Sequence, residues 1–289
     1  MSLISLLIAL TAQRHLSSSK WQFNTYYTQY LSFFSKHSKL GELWQNPMAI
    51  AAFVTIPVLI AYLLLNWVDD SVLHLILSTL LLIISFGCIK TRDTYKNYLL
   101  AAYRGETTTC ELFHQQLQQD KNLPQMGFGQ TLVWLNYRYF IAVMIFFVLF
   151  GAPGALLYRL MITVSEQPQH SKDISGEENT LVDPNEHLAV AFANKILFWL
   201  DWLPVRLVAF GYMLVGHFSK ALPTWLENIF DINSQAHNVL INVAEKSEDF
   251  MVDADDCTAE PCLLVRLAKR TLLLCLAVVA VLTLTGIII

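Results

Sequence analysis

"FWLDWLPVRLVAFGYMLVGH", residues 198–217, has the length and apolar content of a membrane-crossing helix except at Asp201, Pro204 and Arg206 near its start. A helix needs about 20 predominantly apolar residues to cross a hydrocarbon core roughly 30 Å thick. An acid, a helix breaker and a base inside such a run leave its crossing open, and the flanking sequence has to decide it.

The whole chain is unusually apolar. Of its 289 residues 55% are hydrophobic and 15% charged, against about a quarter charged in an average soluble domain; the mean hydropathy is +0.45. The apolar residues come in blocks. "PMAIAAFVTIPVLIAYLLLNW" (47–67), "SVLHLILSTLLLIISFGCI" (71–89), "YFIAVMIFFVLFGAPGALLY" (139–158) and "TLLLCLAVVAVLTLTGIII" (271–289) contain no charged residue. The N-terminal "MSLISLLIAL" is too short to span and lacks a basic leader and a small-residue cleavage site, so it reads as the start of an interfacial helix running through Gln13, Arg14 and His15 or, as second choice, an uncleaved anchor. A net charge of −4 points to no nucleic acid. The Cys257–Cys262 pair in "CTAEPC" has the wrong spacing for a zinc knuckle, and unpaired thiols are expected.

Basic residues set the orientation. Arg14, Lys20, Lys36 and Lys39 precede the first span, "VDDS" separates the first two, and Lys90, Arg92, Lys96 and Arg104 follow the second. The N-terminus and residues 90–138 are therefore expected in the cytoplasm. Leu112, Phe113 and Leu117 share a helical face, and "TLVWLNYRYF" brings aromatic residues to interfacial depth before span three. The segment 165–187 holds six acids and one lysine and reads as a flexible loop; His170, Glu186 and His187 within it lack the spacing that would fix a metal site. If 196–216 crosses, then Lys220, Lys246, Arg266, Lys269 and Arg270 fall on the cytoplasmic side as well. The expectation is an all-α, polytopic integral membrane protein of the bacterial inner membrane, with about five transmembrane helices and a cytoplasmic helical subdomain. Its parts are an N-terminal segment 1–46, a hairpin 47–89, a cytoplasmic loop 90–138, spans three and four over 139–216, a cytoplasmic segment 217–270, and a last span 271–289.

Asp201 suits an N-cap, and Pro204 fits the first turn of a helix starting just after it. Arg206 can then reach back to the carboxylate or extend to the headgroups. Two outcomes follow: a broken, capped helix with an ion pair, or charges lining a polar cleft. "GAPGALLYR" (151–159) places two glycines and a proline late in span three, which predicts either a packed kink or a backbone surface that meets a ligand. The candidate ligand-binding residues are Gly151, Pro153, Gly154, Tyr158, Arg159, Asp201, Pro204 and Arg206; no catalytic or metal-binding residue is assigned.

"LDWLPVRLVAFGYMLVGHFSKALPTW" (200–225) resembles the hallmark segment of the AmpE family, and the layout agrees over essentially the whole chain. That resemblance implies a sensory or signalling role in β-lactamase induction and cell-wall turnover. Its partners would be the lipid bilayer and an anionic turnover ligand or another membrane protein. "GAPGALLYR" and "WLPVRL" are also similar to motifs of the CobD/CbiB synthases, which implies ATP-dependent amide synthesis on a corrinoid as the alternative. Those enzymes continue with Asn-Thr-x-Asp-Ser, where this chain reads "LMITVSE". ATP and a corrinoid belong to that alternative alone, and a small-solute transporter is the third class.

Overall fold

The computed structural model describes residues 2–15, 22–37, 47–87, 89–167, 184–248 and 258–286. His170, Cys88, Cys257 and most of the acidic segment lie outside them. The described residues form helices and turns, with no strand among them. The helices are α1 (Ser2–His15), α2 (Phe23–His37), α3 (Pro47–Trp67), α4 (Ser71–Ser85), α5 (Ile89–Tyr103), α6 (Thr107–Asp120) and α7 (Phe128–Asn136). A π-helical turn, Tyr137–Ile141, joins α7 to α8 (Ala142–Ser165); α9 (Pro184–Val215), α10 (Phe218–Ile229), α11 (Ala236–Ser247) and α12 (Ala259–Leu284) follow. Among the described residues, four stretches are long and apolar enough to cross a membrane, or five if α4 and α5 count as one bent span. The protein is a multi-pass membrane protein. Apolar side chains all round α3 are the composition that lipid, rather than water, stabilises.

Asp70 starts α4 by accepting the Val72 N–H at 3.1 Å. At the other end of α4, the Gly87 N–H donates to the Tyr139 carbonyl at 3.2 Å. These two contacts define opposite ends of the bundle. The 68–70 turn marks one end, and Gly87 marks the other, which carries α5 and α6. Helix α1 runs alongside α4 in the same direction. Its Ser5 shares a small cavity with Val68 and His74, and Gln13 donates to the carbonyls of Ile83 (3.0 Å) and Phe86 (2.7 Å). Leu6 and Ala9 are fully buried. Helix α1 thus packs its Ser5, Leu6 and Ala9 face inward, while Ile4, Leu7 and Ile8 on its other face stay exposed.

The largest departure from expectation is in span three. Tyr139 donates to Glu166 at 2.6 Å across 27 residues, a separation that would be about 40 Å along a straight helix. The chain reverses at Gly151, whose φ of 71° and ψ of −166° interrupt α8. Phe146 and Tyr158, one on each limb, stack with ring centroids 4.6 Å apart. The two limbs are antiparallel neighbours, and Glu166 returns to the α5–α6 end instead of emerging at the opposite one.

Helix α9 also differs from expectation. It runs unbroken from Pro184 to Val215 with Pro204 inside it, so Asp201 is not an N-cap. Losing one backbone N–H is tolerated here because packing supplies the support: Val205, Val208 and Ala209 are all buried.

Candidate functional site

The sequence-predicted residues divide among three environments. The first is a polar node around Asp201, which is 2% exposed. Its Oδ1 accepts from Tyr137 at 2.8 Å and from Tyr158 at 2.6 Å. Both tyrosines are fully buried. The π-helical turn inserts an extra residue at the start of the first limb, and such bulges recur at functional positions. Arg138, in that turn, lies close enough to act on the Asp201 carboxylate electrostatically. Its guanidinium covers the Trp134 ring at 4.8 Å, and its Nε is buried without a partner. Burial, and then the Arg138 cation, hold the neighbouring His237 imidazole below its ordinary pKa, and its ring meets Trp134 edge-on with centroids 5.9 Å apart.

The second environment surrounds Arg206, and the expected ion pair with Asp201 is absent. Arg206 instead donates from Nε to the Ile229 carbonyl (3.0 Å), from Nη1 to Trp202 (2.7 Å) and from Nη2 to Asp231. Helix ends leave carbonyls without intrahelical donors, and Arg206 satisfies those at the end of α10. Trp225 returns the contact by donating to the Arg206 carbonyl at 3.1 Å. This arginine fastens α10 to α9.

The third environment is built by the reversal. Gly151 occupies backbone space that is essentially closed to side chains. A Cβ on Gly154 would stand 2.7 Å from the Phe146 carbonyl oxygen and 2.4 Å from Phe150 Cβ, so only glycine lets the limbs meet. Pro153 opens the returning limb where its missing N–H costs least. The returning limb turns Tyr158 to the Asp201 node and Arg159 away from it. Arg159 is 6% exposed and lies over the rings of Tyr139 (4.2 Å) and Phe23 (5.2 Å). It lines a cavity of about 1070 Å³ at the α5–α6 end, together with Lys121, Glu166 and several amide side chains. The predicted single cleft joining 151–159 to 201–206 is therefore two sites, served by adjacent residues of one helix.

The family model described as "Regulatory signalling modulator protein AmpE" matches residues 1–289. The chain belongs to the AmpE family. It is 25% identical to Protein AmpE of Shigella flexneri over 288 residues, covering 88% of this chain and 95% of that protein. No solved structure matches. The likeness to CobD/CbiB synthases rests on the motif residues alone.

For this AmpE-family chain, sequence reasoning missed Tyr137, Arg138, Tyr139, Lys121 and Glu166. "NYRYF" was legible as an interfacial aromatic run, but nothing in it told that Tyr137 and Tyr139 serve different sites. A π turn closes i→i+5 hydrogen bonds and so changes the angular step between residues, and local sequence does not announce one. The amide-rich run "QQLQQDKN" (115–122) was a signal for the cavity wall.

Proposed function

We propose that the protein acts in the bacterial inner membrane as a sensory or signalling component connected with β-lactamase induction and cell-wall turnover, and that the Asp201 node is central to that role. Its signal would be an anionic turnover ligand or another membrane protein. The α5–α6 end would face the cytoplasm, as Lys90, Arg92, Lys96 and Arg104 favour. Family membership supports the regulatory class. One observation supports the node: a carboxylate, two phenols and a nearby guanidinium are retained between apolar helices, where ionisable groups are costly and mark function by default. The node joins both limbs of the reversed hairpin to α9, so a shift of one element is felt by the other two.

The test replaces the native gene with Asp201→Asn in a strain with inducible β-lactamase. Asparagine keeps an acceptor for the two tyrosines and removes only the charge. The expected outcome is an altered induction ratio with an unchanged amount of protein in the membrane. Normal induction by Asp201→Asn, and equally by Tyr158→Phe at normal abundance, would sink the role of the node.

A further inference from the structure

We propose that the cavity at the α5–α6 end is a binding site for a small solute that carries one carboxylate and several N–H or O–H donors, with Arg159 as its anchor. This site is separate from the Asp201 node and does not depend on the signalling reading.

The anchor is an incompletely partnered cation. Arg159 Nε and Nη1 are buried and make no hydrogen bond, while its Cζ lies over the rings of Tyr139 and Phe23. Ring faces offer a cation some compensation, but they leave those two N–H groups unsatisfied. A carboxylate partners such groups through charge-assisted hydrogen bonds. A buried charge without such a partner is costly.

Charge counting favours a monoanion. Lys121 is already engaged by Glu166 at 3.0 Å and also donates to the Tyr139 hydroxyl. The inner groups are thus Arg159 and Lys121 against Glu166, one positive charge in excess. Lys90 and Asp120, both exposed, offset each other at the rim. A doubly charged phosphate would meet the Glu166 carboxylate with less compensation than a carboxylate would.

The rest of the wall is rich in amide side chains. Gln13 gives its N–H groups to Ile83 and Phe86, and Gln118 gives one to the Met126 carbonyl at 2.6 Å. Asn122 donates to the Ser165 carbonyl at 3.4 Å, and Gln167 to the Tyr27 hydroxyl at 2.7 Å. All four line the cavity; Gln13 has committed both amide N–H groups and the other three one each, so carbonyl oxygens outnumber free N–H groups among them and favour a ligand that donates. Peptide N–H groups and sugar hydroxyls meet that demand. The volume of about 1070 Å³ is at the upper end of small-molecule sites, which suits an oligopeptide or oligosaccharide acid better than a single amino acid.

The full-length protein in nanodiscs would be titrated by calorimetry with N-acetyl-dialanine, its C-terminal amide, lactobionate (a disaccharide acid with one carboxylate) and inorganic phosphate. Binding of either organic acid is expected, with the amide and phosphate silent; which acid binds separates a peptide from a sugar ligand. Arg159→Gln should weaken the acid about tenfold or more, as loss of a charged hydrogen-bond partner does. Glu166→Gln, which removes the competing carboxylate, should tighten it, so the proposal does not rest on one variant that fails to fold. Silence of both acids, equal binding of the amide, preference for phosphate, or unchanged binding by folded Arg159→Gln would each overturn it.

Discussion

Arg159 and Arg206 are almost equally buried, 6% and 4% exposed, yet one has Nε and Nη1 without partners and the other has every donor group engaged. Residue type and apolar surroundings made both candidates for a ligand, and only the neighbours separate them. The expected pairing of Asp201 with Arg206 failed for a geometric reason. Within one continuous helix, residues five apart point about 140° away from each other, so the carboxylate turns to Tyr137 and Tyr158 while the guanidinium turns to α10. The consequence is measurable. Arg206→Met should cost about 2 kcal/mol or more, because it strands carbonyls at the end of α10, and its effect should add to that of Asp201→Asn within about 0.5 kcal/mol, as for independent sites. Unfolding of both single variants and the double variant in detergent would show this; a coupling well above that limit would mean that the two charges communicate after all.

At the scale of elements, the apolar periodicity was legible, and so was the position of the break in span three, whereas the expected cap at Asp201 was not borne out. The glycines and proline of 151–154 marked it. Its angle was not legible, because a glycine at positive φ gives a modest kink or a full reversal depending on ψ and on what the next turn can pack against. Here the packing partner is the limb just completed, and Gly154 is the residue that admits it. Gly154→Ala should therefore destabilise the protein by about 1–3 kcal/mol, the usual range for overpacking, since the Phe146 carbonyl oxygen that a Cβ would strike belongs to a helix backbone. The same substitution at Gly216, where a Cβ would meet the Ser247 carbonyl oxygen at 2.3 Å, should behave likewise but spare the limb contact. Disulfide trapping between cysteines introduced at 146 and 158 would tell the two apart: trapping should weaken in Gly154→Ala and persist in Gly216→Ala. Equal stability of Gly154→Ala and the parent would refute the close approach.

For the whole molecule, the positive-inside argument treated each apolar run as one crossing, and the reversal breaks that assumption. A straight helix from Phe128 to Ser165 would be about 57 Å long, nearly twice the hydrocarbon thickness. The limb from Phe128 to Phe150 alone rises about 34 Å, enough to cross, and the returning limb descends about 21 Å from Ala152 to Ser165. The descent ends where Glu166 meets Lys121, and Gln167 lines the same cavity as Asp120. Sequence reasoning put the segment after span three across the membrane from residue 120; the Lys121–Glu166 contact brings its first residues beside residue 121. Cysteines introduced singly at Asp120, Gln167 and Asp69 in a background without native cysteines would report this through labelling of intact cells with an impermeant maleimide. Positions 120 and 167 should share one accessibility, and position 69, at the 68–70 turn, should show the opposite one. Labelling of 167 together with 69 would restore the straight crossing, and with it the long separation between Tyr139 and Glu166 that the hydrogen bond at 2.6 Å forbids.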